Sequence, residues 1–582
     1  MRWCAWAAIL ICLSACQLPN ATDKYEMHGS SLRPWQVIAE VRDPRFEALA
    51  NRRLGAKVLD RIQIANRHYV LLGLDPERIR RQVSPLTEPA LDDDLAWTRA
   101  AAKDLWTHHG QMLGSLDFNV VSDLALDQSA LSLNSEGQSG GQIAPLLTGS
   151  RQAASAFVTQ AITAPPPLFN DLSFGIGSGL EGWWRTETQV EGAWRYSIGT
   201  GVTAAYIDQG FVNGHPELAR RMDLNGQNNQ STEYATRDPG NIELPRGDHG
   251  TASLLVGFGE RDNHLPSVGV APNARITPYV AVTIWDAARA LYTAAKFKPD
   301  VIGMNFAFPI YPDWEAYGEY RPYRLLQEVF AEIAATTAIP VVVPAHNYGE
   351  PVSGGPRDWV PVSWQSRYSN IIGVGGIQAQ SGPKLKAWFN SDLLTAINAR
   401  GTNFGEGLIY APATGLDIAQ AHPHLPIPAS MNGTSAACPF MTGAVALILS
   451  RLPDMPAQQL RDILRQTARP VDASELTQRP GATVPMIQVE AALREGLRQS
   501  GFDPERFRAR AFTGLMSLPP GGQRVLKLSA GSTYRVLPSH VELLTGLGSE
   551  LDGKQVTLTG WHGISPLQKD EFETLSLGGS LD

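Results

Sequence analysis

The central part of the sequence alternates short apolar runs with longer segments of helical periodicity. The apolar runs lie at residues 201–207, 301–306, 340–343 and 371–375. Runs that are apolar almost throughout, rather than at every second position, are typical of parallel strands covered by helices on both faces. The predicted fold class is therefore α/β, with a mostly parallel sheet flanked by helices. The main predicted helices of this part lie at 284–296, 323–335, 457–467 and 487–497.

The composition changes on both sides of this part. Alternating runs at 54–62 and 68–74, followed by helical patterns at 76–83 and 92–114, predict a small α+β unit behind a flexible polar tether at residues 17–45. Ser, Gly, Gln, Ala and Pro then dominate a linker, and short strands between Gly and Pro turns predict a small C-terminal β domain. The predicted organisation is a signal peptide at 1–16, an N-terminal α+β region at 17–130, a linker at 131–180, the main domain at 181–502 and the β domain at 503–582.

The N-terminus has the pattern of an export signal. A weakly basic start precedes an apolar stretch at residues 4–15, far shorter than the roughly 20 residues needed to span a bilayer. Leu13-Ser14-Ala15-Cys16 resembles the cleavage region of a bacterial lipoprotein, where the cysteine is lipidated and becomes the mature N-terminus. The alternative is an ordinary signal peptide with a chance cysteine. We expect export and a lipid anchor on Cys16, in the outer membrane of a two-membrane cell because Gln17 follows.

The net charge bears on the possible binding partners, and the cysteine content bears on disulfide bonds. The 582 residues carry a formal net charge of −8, which gives no electrostatic reason to expect nucleic acid. Two of the four cysteines lie inside the predicted signal, and lipidation of Cys16 would leave Cys438 without an intramolecular partner. We therefore expect no disulfide framework and a buried, apolar role for Cys438. The sequence has no dense carboxylate loop, so we predict no cofactor and no metal, with structural calcium left open.

A turn of small residues, Gly433-Thr434-Ser435-Ala436, runs into an apolar helix. A serine at a helix N-terminus lies beside unpaired backbone N–H groups and the positive end of the helix dipole. Such a hydroxyl can attack a carbonyl group, and its own N–H can help to hold the resulting oxyanion. On its own the stretch is equally well explained as a capped helix start.

Three other segments supply the groups that a nucleophilic Ser435 needs. His249 lies in a Gly-rich turn before a predicted helix, where an imidazole can act as a general base. Asp208 ends a buried strand and can orient the imidazole, whereas the adjacent Asp248 is expected to point away. Asn347 follows another buried strand, and its amide can donate to an oxyanion. Each residue alone has a structural explanation, such as a cap or a turn.

Together these motifs resemble the subtilisin-like serine proteases, the subtilase or S8 family, between about residues 180 and 500. The order Asp, His, Ser is the one found in that fold. The resemblance implies that Ser435 is the nucleophile, His249 the base, Asp208 its orienter and Asn347 the oxyanion donor. The matching motifs are Tyr206-Ile207-Asp208-Gln209-Gly210, His249-Gly250-Thr251-Ala252, Gly269-Val270-Ala271-Pro272 and Gly433-Thr434-Ser435-Ala436-Ala437-Cys438-Pro439.

Two departures from the family bear on the substrate. His346 replaces the usual glycine before the oxyanion asparagine, and Asn305-Phe306-Ala307-Phe308 replaces a segment of the type Ser-Leu-Gly-Gly. By resemblance the latter pairs with the substrate as an added strand and lines the first specificity pocket. Its bulk predicts a restricted pocket that favours small side chains. The family also implies that residues 45–90 form an inhibitory prodomain, the alternative being a permanent accessory domain.

The sequence thus predicts a secreted, membrane-anchored serine endopeptidase that hydrolyses peptide bonds through an acyl-enzyme. Its predicted partners are a protein or peptide substrate and a membrane lipid, without nucleic acid. The competing hypothesis is a catalytically impaired subtilase fold that serves as a binding or scaffold protein. A hydrolase of the lipase or esterase type is excluded, because it requires Gly-x-Ser-x-Gly and the order Ser, Asp, His.

Overall fold

The computed structural model describes fourteen stretches of the chain. They comprise two compact units: the first contains the described residues before 121 together with Thr283–Trp285 and 323–326, and the second contains all the others. None of the helices within these stretches is both long and apolar enough to cross a membrane. The stretches are 32–83, 94–120, 182–224, 247–261, 263, 267–310, 323–379, 384–389, 401–419, 428–517, 525–528, 533–536, 553–562 and 571–577.

The first unit is built on an antiparallel four-stranded sheet in the order β2-β3-β1-β4. Its apolar core includes Val37, Phe46, Leu72 and Leu105. The strands and helices are β1 (Leu32–Val41), α1 (Arg45–Leu54), β2 (Lys57–Ile64), β3 (Arg67–Gly73), α2 (Pro76–Gln82), α3 (Asp94–His109) and β4 (Leu113–Val120).

The prediction of a tether up to residue 45 was wrong. The segment 32–41 forms β1, the strand between β3 and β4, and its Val37, Ile38 and Ala39 are buried. The helix predicted to continue to residue 114 ends at His109, and β4 follows. The apolar part of β1 is too short to predict a strand by itself. Its pairing with two distant segments, rather than local periodicity, determines its structure.

The second unit contains a nine-stranded sheet in the order β12-β16-β17-β13-β11-β9-β7-β5-β6. The strands from β17 to β6 in this order pair in parallel, whereas β16 is antiparallel to β17. The strands of this unit before the C-terminal region are β5 (Thr203–Asp208), β6 (Arg275–Val280), β7 (Val301–Met304), β8 (Phe308–Ile310), β9 (Val341–Pro344), β10 (Asp358–Val360), β11 (Ile371–Ala379), β12 (Leu385–Ala387), β13 (Ile409–Pro412), β14 (Leu416–Ala419), β15 (Pro428–Met431), β16 (Arg469–Asp472) and β17 (Thr483–Met486).

The helices after residue 182 follow the predicted alternation with strands. They are α4 (Trp183–Glu187), α5 (Val190–Ala193), α6 (Gly247–Phe258), α7 (Ile284–Lys296), α8 (Arg324–Thr336), α9 (Thr434–Leu449), α10 (Ala457–Gln466), α11 (Ser474–Thr477) and α12 (Val489–Gln499). The predicted α/β class with a mostly parallel sheet is confirmed.

Helix α9 lies at the centre of the second unit, and every residue in it is buried. It packs against β7, β9, β11 and β13 of the sheet and against α6. The two helices approach closely at Gly257 and Gly443, because a Cβ atom on Gly443 would lie 2.8 Å from the Gly257 carbonyl oxygen. This contact fixes α6 against α9.

The described residues from Arg510 onward form β strands, as expected for a C-terminal β domain. Five strands form a closed barrel in the order β18-β19-β20-β22-β21. The sequence predicts four of them, at 525–528, 533–537, 555–559 and 572–575, but not the first, because its segment lacks a continuous apolar run. The strands are β18 (Arg510–Ser517), β19 (Val525–Leu528), β20 (Thr533–Val536), β21 (Gln555–His562) and β22 (Glu571–Leu577).

Candidate active site

Asp208 is the last residue of β5, at the carboxyl edge of the parallel part of the sheet. It is fully buried, and two N–H groups donate to its Oδ1, one from the Gln209 backbone (2.7 Å) and one from His249 Nδ1 (2.8 Å). Its Oδ2 accepts from Ser253 Oγ at 3.1 Å and from Asn305 Nδ2 at 3.3 Å. Four donors therefore offset the cost of burying this carboxylate.

His249 lies in the first turn of α6. Because its Nδ1 faces a carboxylate, that nitrogen carries the proton, and Nε2 is left as the basic nitrogen of the neutral ring. Gly250 makes this arrangement possible, since a Cβ atom there would collide with the carbonyl oxygen of Gly210. Ser253 lies one helical turn after His249, and its Oγ is within hydrogen-bond distance of both Asp208 Oδ2 and the His249 carbonyl oxygen, the latter at 3.0 Å, so the two acceptors share its single proton.

Ser435 is the second residue of α9 and is buried. Within the described part of the chain, its Oγ has no hydrogen-bond partner. Its carbonyl oxygen accepts from Asn305 Nδ2 at 3.1 Å. Pro439 explains this bond, because a proline four residues later has no N–H to donate to that carbonyl group. Asn305 therefore joins the start of α9 to Ser253 (3.0 Å) and Asp208.

Asn347 lies three residues after β9. Its Oδ1 accepts from the Thr434 backbone N–H at 3.0 Å and from Thr434 Oγ1 at 2.7 Å. A backbone N–H can only donate, so the amide oxygen must face Thr434 and the Nδ2 group is the end left for donation. A Cβ atom on Gly433 would lie 3.4 Å from Nδ2, so this group lies beside the segment that carries Ser435.

The side chains of the predicted substrate segment, Asn305-Phe306-Ala307-Phe308, lie in two different environments. The Asn305 side chain is buried in the polar cluster around Asp208. Phe306, Ala307 and Phe308 are also fully buried, and the rings of Phe306 and Phe308 stack with centroids 6.1 Å apart. Strand β8 begins at Phe308, which is opposite Val360 of β10. Substrate contact by this segment stays a prediction.

The sequence reasoning did not find Ser253, the contacts of Asn305 with Asp208 and Ser435, or the role of Thr434. Two signals were present: Ser253 follows His249 by one helical turn, and Pro439 leaves the carbonyl group of Ser435 without its helical donor.

Cys16 and the linker at 131–180 lie outside the described residues. Cys438 is a buried free thiol whose pKa is raised by burial, in keeping with an apolar role. In the stretches that the structure describes, no three His, Cys, Asp or Glu side chains come together as a potential metal site.

Comparison with known proteins gives the family. The model of the subtilase family, peptidase S8, matches residues 199–489, which is half of the chain. The chain belongs to the subtilase family. This subtilase is 26% identical over 302 residues to a calcium-dependent protease of Trichormus variabilis, a match covering 49% of the chain and 44% of that protein. It is 27% identical over 279 residues to subtilisin DY of Bacillus licheniformis, covering 47% of the chain and 81% of that protein.

A solved structure supports the fold of this subtilase. The epidermin leader peptide processing serine protease of Staphylococcus aureus, solved as a mutant, aligns with a TM-score of 0.50 and 15% identity. The alignment covers 79% of this chain and 99% of that one. The chain spans less than half the length of the first curated relatives that it matches.

Proposed function

We propose that this subtilase is an active serine endopeptidase that cleaves peptide bonds through an acyl-enzyme intermediate. Ser435 is the nucleophile, His249 the general base, Asp208 the residue that orients it, and Asn347 an oxyanion donor. The observation that supports this most directly is the buried Asp208–His249 pair, with Oδ1 and Nδ1 2.8 Å apart. Asn305 ties that pair to the backbone of Ser435.

The reaction uses these groups in two stages. Ser435 Oγ attacks the carbonyl carbon and gives its proton to His249 Nε2, while Asp208 stabilises the imidazolium through Nδ1–H. The oxyanion receives hydrogen bonds from Asn347 Nδ2 and from the Ser435 N–H at the start of α9. Breaking of the C–N bond releases the amine, which takes the proton from His249. Water then attacks the acyl ester and gives its proton to His249. The ester C–O bond breaks, the carboxylic acid product leaves, and His249 returns the proton to Ser435 Oγ.

The competing proposal is a catalytically impaired scaffold. The reason to consider this alternative is His346, a bulky residue that precedes the proposed oxyanion donor Asn347 in the sequence. The polar cluster argues against this proposal. Asp208 is a fully buried carboxylate with four donors, and a protein that performs no chemistry would gain more from apolar side chains of similar volume.

Serine-directed labelling tests the endopeptidase proposal. We expect a fluorophosphonate probe to label the purified wild-type protein, and casein to be digested. The Ser435→Ala variant is expected to lose both, because the probe reacts only with an activated hydroxyl. A folded wild-type protein that is neither labelled nor able to digest casein would favour the scaffold.

We further propose that the protease is exported as a lipoprotein anchored through Cys16. Residues 45–90 of the N-terminal region at 17–130 are proposed to act as an inhibitory prodomain, and the linker at 131–180 is proposed as the site of release. Support comes from the N-terminal sequence pattern and from the family resemblance. The net charge of −8 supports the absence of a nucleic-acid partner. Substrates are proposed to be proteins or peptides that pair with Asn305-Phe306-Ala307-Phe308.

A further inference from the structure

Three aromatic rings near the predicted oxyanion donor Asn347 pack together. His346 precedes Asn347 in the sequence, and Tyr348 and Trp359 follow it. His346 and Trp359 have ring centroids 4.4 Å apart with planes at 17°, and Tyr348 lies 5.1 Å from His346 and 4.8 Å from Trp359. All three side chains are buried, Trp359 completely. We call these three residues the ring stack. Two of its members flank Asn347, so their position is tied to that of the amide.

The ring stack is held by polar groups at its edge. The Trp359 indole N–H donates to Glu350 Oε1 at 2.7 Å, and the same oxygen forms an ion pair with Arg357 at 2.9 Å. The Arg357 guanidinium lies over the rings of Tyr348 and Trp359, 4.8 and 5.4 Å from their centroids. A charge-assisted bond and one cation–π contact therefore keep the indole in one orientation, and the second cation–π contact ties Arg357 to Tyr348.

His346 serves this stack as a ring and not as a base. Its backbone has a φ of 79°, a left-handed conformation that costs a non-glycine residue about 1–2 kcal/mol. Among the described residues neither ring nitrogen has a hydrogen-bond partner. Burial and the nearby Arg357 lower the pKa of His346 to about 3, so the ring is neutral at ordinary pH. What the side chain contributes is volume and stacking.

The chemistry limits where the substrate side chain before the scissile bond can lie. The attacked carbonyl carbon has to be within reach of both Ser435 Oγ and Asn347 Nδ2, and that side chain branches from the adjacent atom. We take this side chain to lie against the residues flanking Asn347. Trp359 belongs to β10, which pairs with β8 directly after the predicted substrate segment, with Trp359 opposite Pro309.

We infer that the ring stack occupies the first specificity pocket, with Trp359 as its specificity-determining residue, so that cleavage follows Gly, Ala or Ser. This inference rests on the proposed endopeptidase function and names its substrate class. Because the indole is clamped by Glu350 and Arg357, a large substrate side chain cannot displace it at low cost.

The test measures kcat/KM on fluorogenic peptides that differ only at the residue before the scissile bond, with active sites counted by fluorophosphonate labelling. Wild type is expected to prefer Ala to Phe by at least about tenfold, the scale on which pocket size discriminates. Trp359→Gly is expected to shift the Phe-to-Ala ratio upward by at least about tenfold. The matched control is Trp364→Ala, which removes an indole packed against Phe330 and should leave the ratio unchanged.

His346→Gly provides a second variant if Trp359→Gly does not fold, since glycine adopts the left-handed backbone without strain. It too should improve cleavage after large residues. A wild-type preference for Phe or Leu, or an unchanged ratio in a labelled variant, overturns the pocket inference alone. A folded wild type that cannot be labelled overturns the endopeptidase proposal, and the pocket inference with it.

Discussion

At the scale of single residues, Asn305 makes more contacts in the candidate site than its place in the predicted substrate segment suggested. Its Nδ2 group lies within hydrogen-bond distance of Asp208 Oδ2, Ser253 Oγ and the Ser435 carbonyl oxygen. One amide thus links the carboxylate proposed to orient the base to the backbone of the proposed nucleophile. We therefore propose that Asn305 is a positioning residue, which acts through Asp208 and Ser435.

Replacing Asn305 by Ala should lower kcat/KM about 10- to 100-fold, because a hydrogen bond to a charged group contributes about 1.5–3 kcal/mol. Asp208 would also lose a donor, which leaves its negative charge less compensated. Since a less compensated carboxylate stabilises the imidazolium of His249 more strongly, the acid limb of the kcat/KM profile should move to higher pH. Steady-state kinetics between pH 5 and 9 on the labelled enzyme would measure both effects.

The matched control for this variant is Asn370→Ala. Asn370 is also buried, but it precedes β11 and so lies at the amino edge of the parallel strands, away from the site. We expect its variant to keep the wild-type pH profile even if it is less stable. An Asn305→Ala enzyme with a wild-type profile and unchanged kcat/KM would refute the positioning role.

At the scale of elements, two helices carry the proposed base and the proposed nucleophile, and the contact between the helices determines whether the two residues can meet. Helix α6 brings His249 to Asp208, and α9 begins with Thr434 and Ser435. The helices approach so closely at Gly257 and Gly443 that carbonyl oxygens occupy the space a side chain would need. The two small residues thus set the distance between the helices.

Gly443→Ala should destabilise the protein by about 1–3 kcal/mol, as overpacked cores do. The added Cβ atom would lie 2.8 Å from both the Gly257 carbonyl oxygen and Val270 Cβ. The sign of the change in unfolding free energy is informative, because in a helix without such contacts Ala is more stable than Gly by about 1 kcal/mol. Urea denaturation in the Ser435→Ala background, which prevents autolysis, would measure the change. A gain in stability would show that the helices can separate freely.

At the scale of the whole molecule, the proposed anchor and the proposed protease activity are coupled by the linker. If Cys16 is lipidated and the linker at 131–180 is cut by the enzyme itself, the catalytic region is freed from the membrane. Proteolysis concentrates in exposed segments of linker composition.

Blotting of membrane and soluble fractions should therefore show a shortened soluble form for wild type and a full-length membrane form for Ser435→Ala. Cys16→Ser should abolish incorporation of labelled fatty acid, whereas Cys438→Ser, the matched control, should retain it. Full-length protein in both the wild-type and Ser435→Ala strains would argue against self-release.

Much of the second unit could be predicted from sequence because its signals are local. Apolar runs indicate parallel strands, and residues at strand ends and helix starts meet at the carboxyl edge of such a sheet. Asp208, His249, Asn347 and Ser435 were all recognisable in this way. Their predicted neighbourhood agrees with the observed contacts of Asp208 with His249, and of Asn347 with Thr434.

The tertiary structure alone decided which distant segments meet. Strand β1 is a strand because β3 and β4 pair with it, although its own sequence resembled a tether. Trp359 lies thirteen positions after His346 (359 − 346), in a strand that pairs with β8, yet the two rings stack. Local sequence sets the periodicity of an element and the chemistry of its ends. Burial beside a particular neighbour depends on the packing of the whole chain, and that packing places the ring stack beside Asn347.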